Sequence, residues 1–190
     1  NYQNWTRSQA TNDLPVYLID NPILDTVHPM SNTLCSLDYF PYNQGKTFVT
    51  TLIDNGGWAR LNLAYEPDYT PSTTEQILHA NKYFANESAL PTNAPTLTDD
   101  TWTLIQTSRR QNSDSYGEYF IQVMLSNWLK NNNENEALNA SAGWGGDNFT
   151  YYEKSNDFLF TWNITWDSAH DAAEFQQAFT HMMTYTGATA

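Results

Sequence analysis

Glu75 and His79 stand four residues apart in the run Ser72-Thr73-Thr74-Glu75-Gln76-Ile77-Leu78-His79. On a helix that spacing puts a carboxylate and an imidazole on one face, where they could share a proton or supply two ligands to a metal. Two ligands are half of a site at most. The same residue types serve more often as a helix-capping acid and a hydrogen-bonded structural histidine, so the pair is a weak catalytic candidate. His28, His170 and His181 complete the histidines, and none stands in an HExxH arrangement. The chain therefore lacks the two imidazoles one helical turn apart, with their intervening carboxylate, that bind zinc and activate water.

Gly143-Trp144-Gly145-Gly146-Asp147 has the glycine density of a phosphate loop. It has no lysine, however, and it precedes a strand pattern rather than a helix, so its expected role is structural. The glycines would permit positive φ, Trp144 would plug the core, and Asp147 would tie the segment through side-chain hydrogen bonds. Asp99-Asp100 and Asp147 leave calcium possible without any EF-hand spacing. Trp5, Trp102 and Tyr152 are candidate rings for stacking on sugars. Arg109-Arg110 is the adjacent basic pair of an acidic chain, suited to an internal carboxylate network.

The elements that must position these residues are clearest toward the C-terminus. Phe158, Phe160, Trp162, Ile164 and Trp166 occupy alternate positions, the period of a strand with one buried face, with Trp162 and Trp166 as structural anchors. Asn148 to Tyr152 alternates too, and Lys154-Ser155-Asn156-Asp157 is turn chemistry, which predicts an antiparallel hairpin. Ser168 with Asp171 forms a capping box ahead of Ala172, Phe175, Phe179 and Met182 at helical spacing, so a last helix should lie across the aromatic face. Upstream, a buried helix is expected over residues 116–130. Shorter ones are expected from Phe40 to the stop signal Asn55-Gly56-Gly57, over 58–65, after the Thr73-Thr74-Glu75 cap, and over 137–142. Leu14 to Ile19 reads as an extended arm, and residues 86–100 as a long surface loop. The reading is an α+β domain, mostly helical, with a C-terminal antiparallel hairpin packed under the last helix. An irregular arm over 1–35 precedes a domain over 36–190, which includes the hairpin-helix unit 143–185.

Eight basic and 21 acidic residues leave a formal charge of −13 in 190 residues, which argues against a nucleic-acid backbone or an anionic membrane as partner. No apolar run is long enough to predict membrane insertion by this segment. Cys35 is the single cysteine, so an intrachain disulfide is excluded. Asn4, Asn86, Asn139, Asn148 and Asn163 each head an N-glycosylation triplet, consistent with an extracellular or cell-surface glycoprotein. A first residue of Asn rather than Met suggests processing, with any export signal in preceding sequence.

In order along the chain, Phe40-Pro41-Tyr42 with Gly45 and Phe48-Val49, Gly56-Gly57-Trp58, residues Ser72 to His79 with Lys82-Tyr83, Gly117-Glu118, and Gly143 to Asp147 resemble one architecture. It is similar to the C-terminal region of secreted or lipoprotein metallopeptidase-like proteins of bacteria and archaea, whose HExxH helix lies upstream. The resemblance spans roughly residues 36–185, with Ala80 where a proline commonly follows the histidine. It implies a metallopeptidase-like scaffold without its zinc-binding segment. The expected function is that of a non-catalytic extracellular structural or interaction protein, acting through self-association or a cell-surface protein partner, with no cofactor. The alternatives are the processed C-terminal part of a zinc metallopeptidase, with zinc completed by a missing HExxH segment, and a carbohydrate-binding module.

Overall fold

A computed structural model describes residues 29–93, 97–105, 115–129 and 133–186. The chain is α+β: mostly helical, with an antiparallel hairpin that packs under the last helix. Helix α1 spans Pro29–Asp54, α2 Gly57–Leu63, α3 Thr74–Leu78 and α4 Ala80–Phe84. Strand β1 (Thr103–Ile105), α5 (Gly117–Trp128), α6 (Glu134–Ser141), β2 (Trp144–Lys154), β3 (Asp157–Trp166) and α7 (Ala169–Thr186) follow.

Residues 29–35, expected to be irregular, are the first turns of α1, which correct the boundary drawn at residue 35. Pro41 lies inside that helix and costs it one backbone hydrogen bond without ending it. Packing compensates: Phe40 meets Tyr119 of α5 with ring centroids 4.4 Å apart, and the Tyr119 hydroxyl donates to the Ser36 carbonyl. Phe48 and Leu52 then bury against Leu61 and Ala64 of the α2 region, forming a smaller core. Gly57 closes the junction in the left-handed region at φ 65°.

The larger core gathers Ile121, Leu125 and Leu129 of the α5 region, Ala137 and Ala140 of α6, Trp144, and Ala178 and Met182 of α7. Small alanines on α6 and α7 let these helices approach Trp144, which is 1% exposed. The three strands are ordered β1-β2-β3 and antiparallel throughout; β1 had no sequence signal beyond its brevity. Phe149 stands opposite Trp162 and Tyr151 opposite Phe160, so the aromatic row is double-stranded.

Helix α7 covers only the Trp166 end of that row, where Phe175 packs 4.9 Å from Trp166. Tyr116 and Phe120 cover its middle, with Tyr116 stacked on Phe149 at 4.3 Å. The inward expectation fails for Phe158, 74% exposed, and partly for Phe160, 40% exposed, because the capped helix departs directly from the opposite end of β3. The opposite face of the sheet carries the loop after α4 as a strap. Leu90 N donates to Gly145 O at 2.6 Å, Thr92 and Thr165 hydroxyls meet at 2.8 Å, and Asn163 Nδ2 donates to Asn93 O at 3.0 Å.

Candidate functional site

Two polar centres lie where the helical half meets the hairpin. The first is built on Asp147, at the start of β2. Its carboxylate accepts from Ser115 Oγ, Tyr116 N, Gly117 N, Trp144 Nε1 and Trp162 Nε1, all at 2.7–3.1 Å. Helix α5 has no side-chain cap of its own, so Asp147 supplies one from the sheet and complements the positive helix end. The same two oxygens anchor both indoles. This is a structural joint, with every donor neutral and the carboxylate 6% exposed in its residue.

The glycines around Asp147 correct the sequence expectation. Of Gly143, Gly145 and Gly146, only Gly143 takes positive φ, at 74°. Gly145 and Gly146 are strand residues at a register shift in β2, and they permit close approach: a Cβ on Gly146 would lie 2.5 Å from the Leu90 carbonyl oxygen.

The second centre contains Glu75 and His79. Thr73 caps α3 by accepting from Gln76 N, and the helix stops at Leu78. His79 sits between α3 and α4 at φ −122°, ψ 83°, so the common helical face expected for the pair is broken. They take separate partners. His79 Nε2 lies 2.8 Å from Glu118 Oε1 on the first turn of α5, which places the imidazole proton on that nitrogen. The Glu118 bond raises the His79 pKa, outweighing burial, which lowers it.

Lys82, one turn further along, donates to Glu75 Oε1 at 2.6 Å, Glu87 Oε1 at 2.7 Å and Asp167 Oδ2 at 2.7 Å. Its desolvation opposes the charge, but the hydrogen bonds to Asp167, Glu75 and Glu87 prevail and hold the ammonium above its usual range. Glu75 moves up as well, because burial exceeds what a lysine shared among three carboxylates returns, and Glu118 repels it further. Glu75 and Glu118 are each 2% exposed, and Glu118 Oε2 is buried without a hydrogen-bond partner. The centre thus sets four carboxylates against one ammonium and one imidazole.

Zinc of the HExxH type does not fit these residues. His28 lies outside the described residues, and His79, His170 and His181 each engage a different carboxylate: Glu118, Glu174 and Glu136. Of the candidate glycan acceptors, Asn86 and Asn139 are exposed and Asn4 lies outside the described residues. Asn163 is exposed with its amide on Asn93 O, and half-buried Asn148 donates to Thr92 O. Tyr152 is 7% exposed and Trp102 lies beneath the Lys154 ammonium, which withdraws Tyr152 as a sugar platform; Trp5 and Arg109-Arg110 lie outside the described residues. Asp99 accepts from Thr101 N and Oγ1, an ordinary side-chain turn.

The grouping that sequence reasoning missed is that of Lys82, Glu87, Glu118 and Asp167 around Glu75 and His79. Glu118 is 39 residues from His79 and Asp167 is 85 from Lys82, so no local periodicity connects them.

No helix among the described residues is long and apolar enough to cross a membrane. Residues 103–190 match a family model described as a domain of unknown function (DUF8575), which takes in the hairpin, α5, α6 and α7 but not Glu75, His79 or Lys82. No curated protein and no solved structure matches the chain.

Proposed function

We propose that this chain is a non-catalytic extracellular or cell-surface interaction protein that acts by self-association or protein binding, on a scaffold derived from metallopeptidase-like proteins. The carrying observation is the bare aromatic end of β3, where Phe158 is 74% and Phe160 40% exposed. Phe158 to Trp166 carries no charge in a chain of net −13, with Glu153 opposite Phe158 at the rim of the apolar patch. Lys82 supports a non-catalytic reading, because its ammonium is already held by three carboxylates. Glycans at Asn86 and Asn139 belong to the same proposal, since both side chains face solvent.

Sedimentation velocity across a concentration series tests association. Wild type should show concentration-dependent growth that Phe158→Ser with Phe160→Ser removes; a monomer at all concentrations that also captures no cell-surface protein ends the reading. A processed metallopeptidase part is the second reading, favoured by His79, whose half-exposed ring is oriented by a buried carboxylate as a general base would be. Stoichiometric zinc with peptide hydrolysis in material from the native source would decide for it.

A further inference from the structure

We infer that the groove enclosed by α1, α5 and α6 binds a neutral sugar of monosaccharide size. Each helix turns one periodic stripe toward it: Ser36 and Gln44 about two turns apart on α1, Gln122 and Ser126 one turn apart on α5, Glu134 and Leu138 one turn apart on α6. A seam between packed helices is ordinarily apolar, yet this stripe of α5 is largely polar. The Tyr119 hydroxyl on the Ser36 carbonyl and Asn127 Nδ2 on Thr33 Oγ1 clip α1 along α5, so the groove is preformed. It holds about 330 Å³, near the lower end of the volumes that take small molecules, about 300–1,000 Å³.

The polar groups that face one another across the groove do not satisfy one another. Among the described residues, the side chains of Ser36, Gln44, Gln122 and Ser126 make no hydrogen bond within the chain. Asn127 spends its amide on Thr33 and the Val123 carbonyl, which leaves its Oδ1 as a further acceptor. Hydroxyls elsewhere on the helices, those of Thr47, Thr51 and Thr180 among them, return to the carbonyl four residues back; Ser36 and Ser126 do not. Carboxamides and hydroxyls both donate and accept, which matches the twofold character of a sugar hydroxyl. No Lys or Arg lines the groove, and Glu134 at its edge repels anions while accepting from hydroxyls, so phosphates and acidic peptides are disfavoured. Val123 and Leu138, the latter 47% exposed, supply apolar surface for the C–H face of a pyranose ring. A handful of hydrogen bonds in an open groove places the dissociation constant on the order of 10⁻³ M.

The groove shares no residue with the bare end of β3, so this inference goes beyond the proposed function and neither depends on the other. Glucose, galactose, mannose and N-acetylglucosamine are the probes, each titrated to about 50 mM into the isotopically labelled full chain and read by amide chemical shifts. At least one should give saturable shifts confined to the stretches of α1, α5 and α6 that line the groove. Gln122→Ala should weaken that sugar about tenfold, and Ser126→Leu, which fills the groove, should abolish its binding. Phe158→Ser should leave the constant unchanged. The assignment is overturned by the lack of a saturable shift with every one of these sugars, by shifts centred on Trp102 or the end of β3, by a loss in Phe158→Ser, or by undiminished affinity in Gln122→Ala. Should Ser126→Leu fail to fold, Gln44→Ala takes its place: about a tenfold loss is expected there, and undiminished affinity overturns the assignment equally.

Discussion

Asp147 and Lys82 are opposite solutions to one problem, how to join the helical half to the hairpin across a polar seam. At Asp147 five neutral donors converge on one carboxylate. At Lys82 three carboxylates converge on one ammonium, with a fourth acid behind them. The first joint is nearly closed to water and surrounded by the large core; the second has two partly exposed acids and excess charge. The difference teaches that two joints built of short hydrogen bonds need not share one sensitivity to pH or salt. A neutral-donor joint answers mainly to packing, whereas a charge-rich joint answers to whatever changes the charge.

The sharpest way to break the comparison is to remove the Asp147 joint. Trp144→Ala should cost about 3–5 kcal/mol through the cavity it leaves, and Asp147→Ala a similar amount by orphaning buried donors. Urea denaturation measures both, and the losses should be nearly independent of salt. Lys82→Met should cost about 3 kcal/mol, the lower end for breaking a buried ion pair, because Lys82 keeps 16% side-chain exposure. Unlike the Asp147 variants, its loss should shrink as added salt screens the three carboxylates left without their cation.

The pH dependence sharpens the contrast further. His79 is raised above 6.5 in the folded chain, so its contribution is complete below about pH 6.5 and is lost as pH rises through the folded value. Glu75 is raised above 4.5, so its favourable contribution is complete below that value and is lost as pH rises through its own folded value. Both signs agree: melting temperature should fall as pH climbs from the mildly acidic range toward 8. Glu118→Gln should flatten the histidine part of that slope, and a slope unchanged in this variant would remove His79 from the account. The smallest effect belongs to a feature outside both joints. Ser168→Ala should cost about 1 kcal/mol, since Ser168 Oγ accepts from Asp171 N and donates to Asp171 Oδ2 at the start of α7.

Legibility in the sequence followed the range of the interaction. The β2–β3 hairpin and α7 were readable because alternation, turn residues and a capping box act within a few positions. The Thr73 cap was readable for the same reason. The extent of α1 was hidden, since Pro41 signals a break that contacts with Tyr119 and the smaller core override. β1 was hidden because three residues carry no period and depend on pairing with Tyr151, Tyr152 and Glu153.

Local chemistry by itself determined the fold class, the order of the C-terminal elements and the residue types available for proton or cation binding. Tertiary structure alone decided which of those residues meet. A one-residue break at His79 turned the imidazole toward Glu118 and left Glu75 to Lys82. Hydrophobic packing of α5 and the hairpin then brought Glu118 and Asp167 into place, since burying apolar surface costs least when the acids at its margin find a cation.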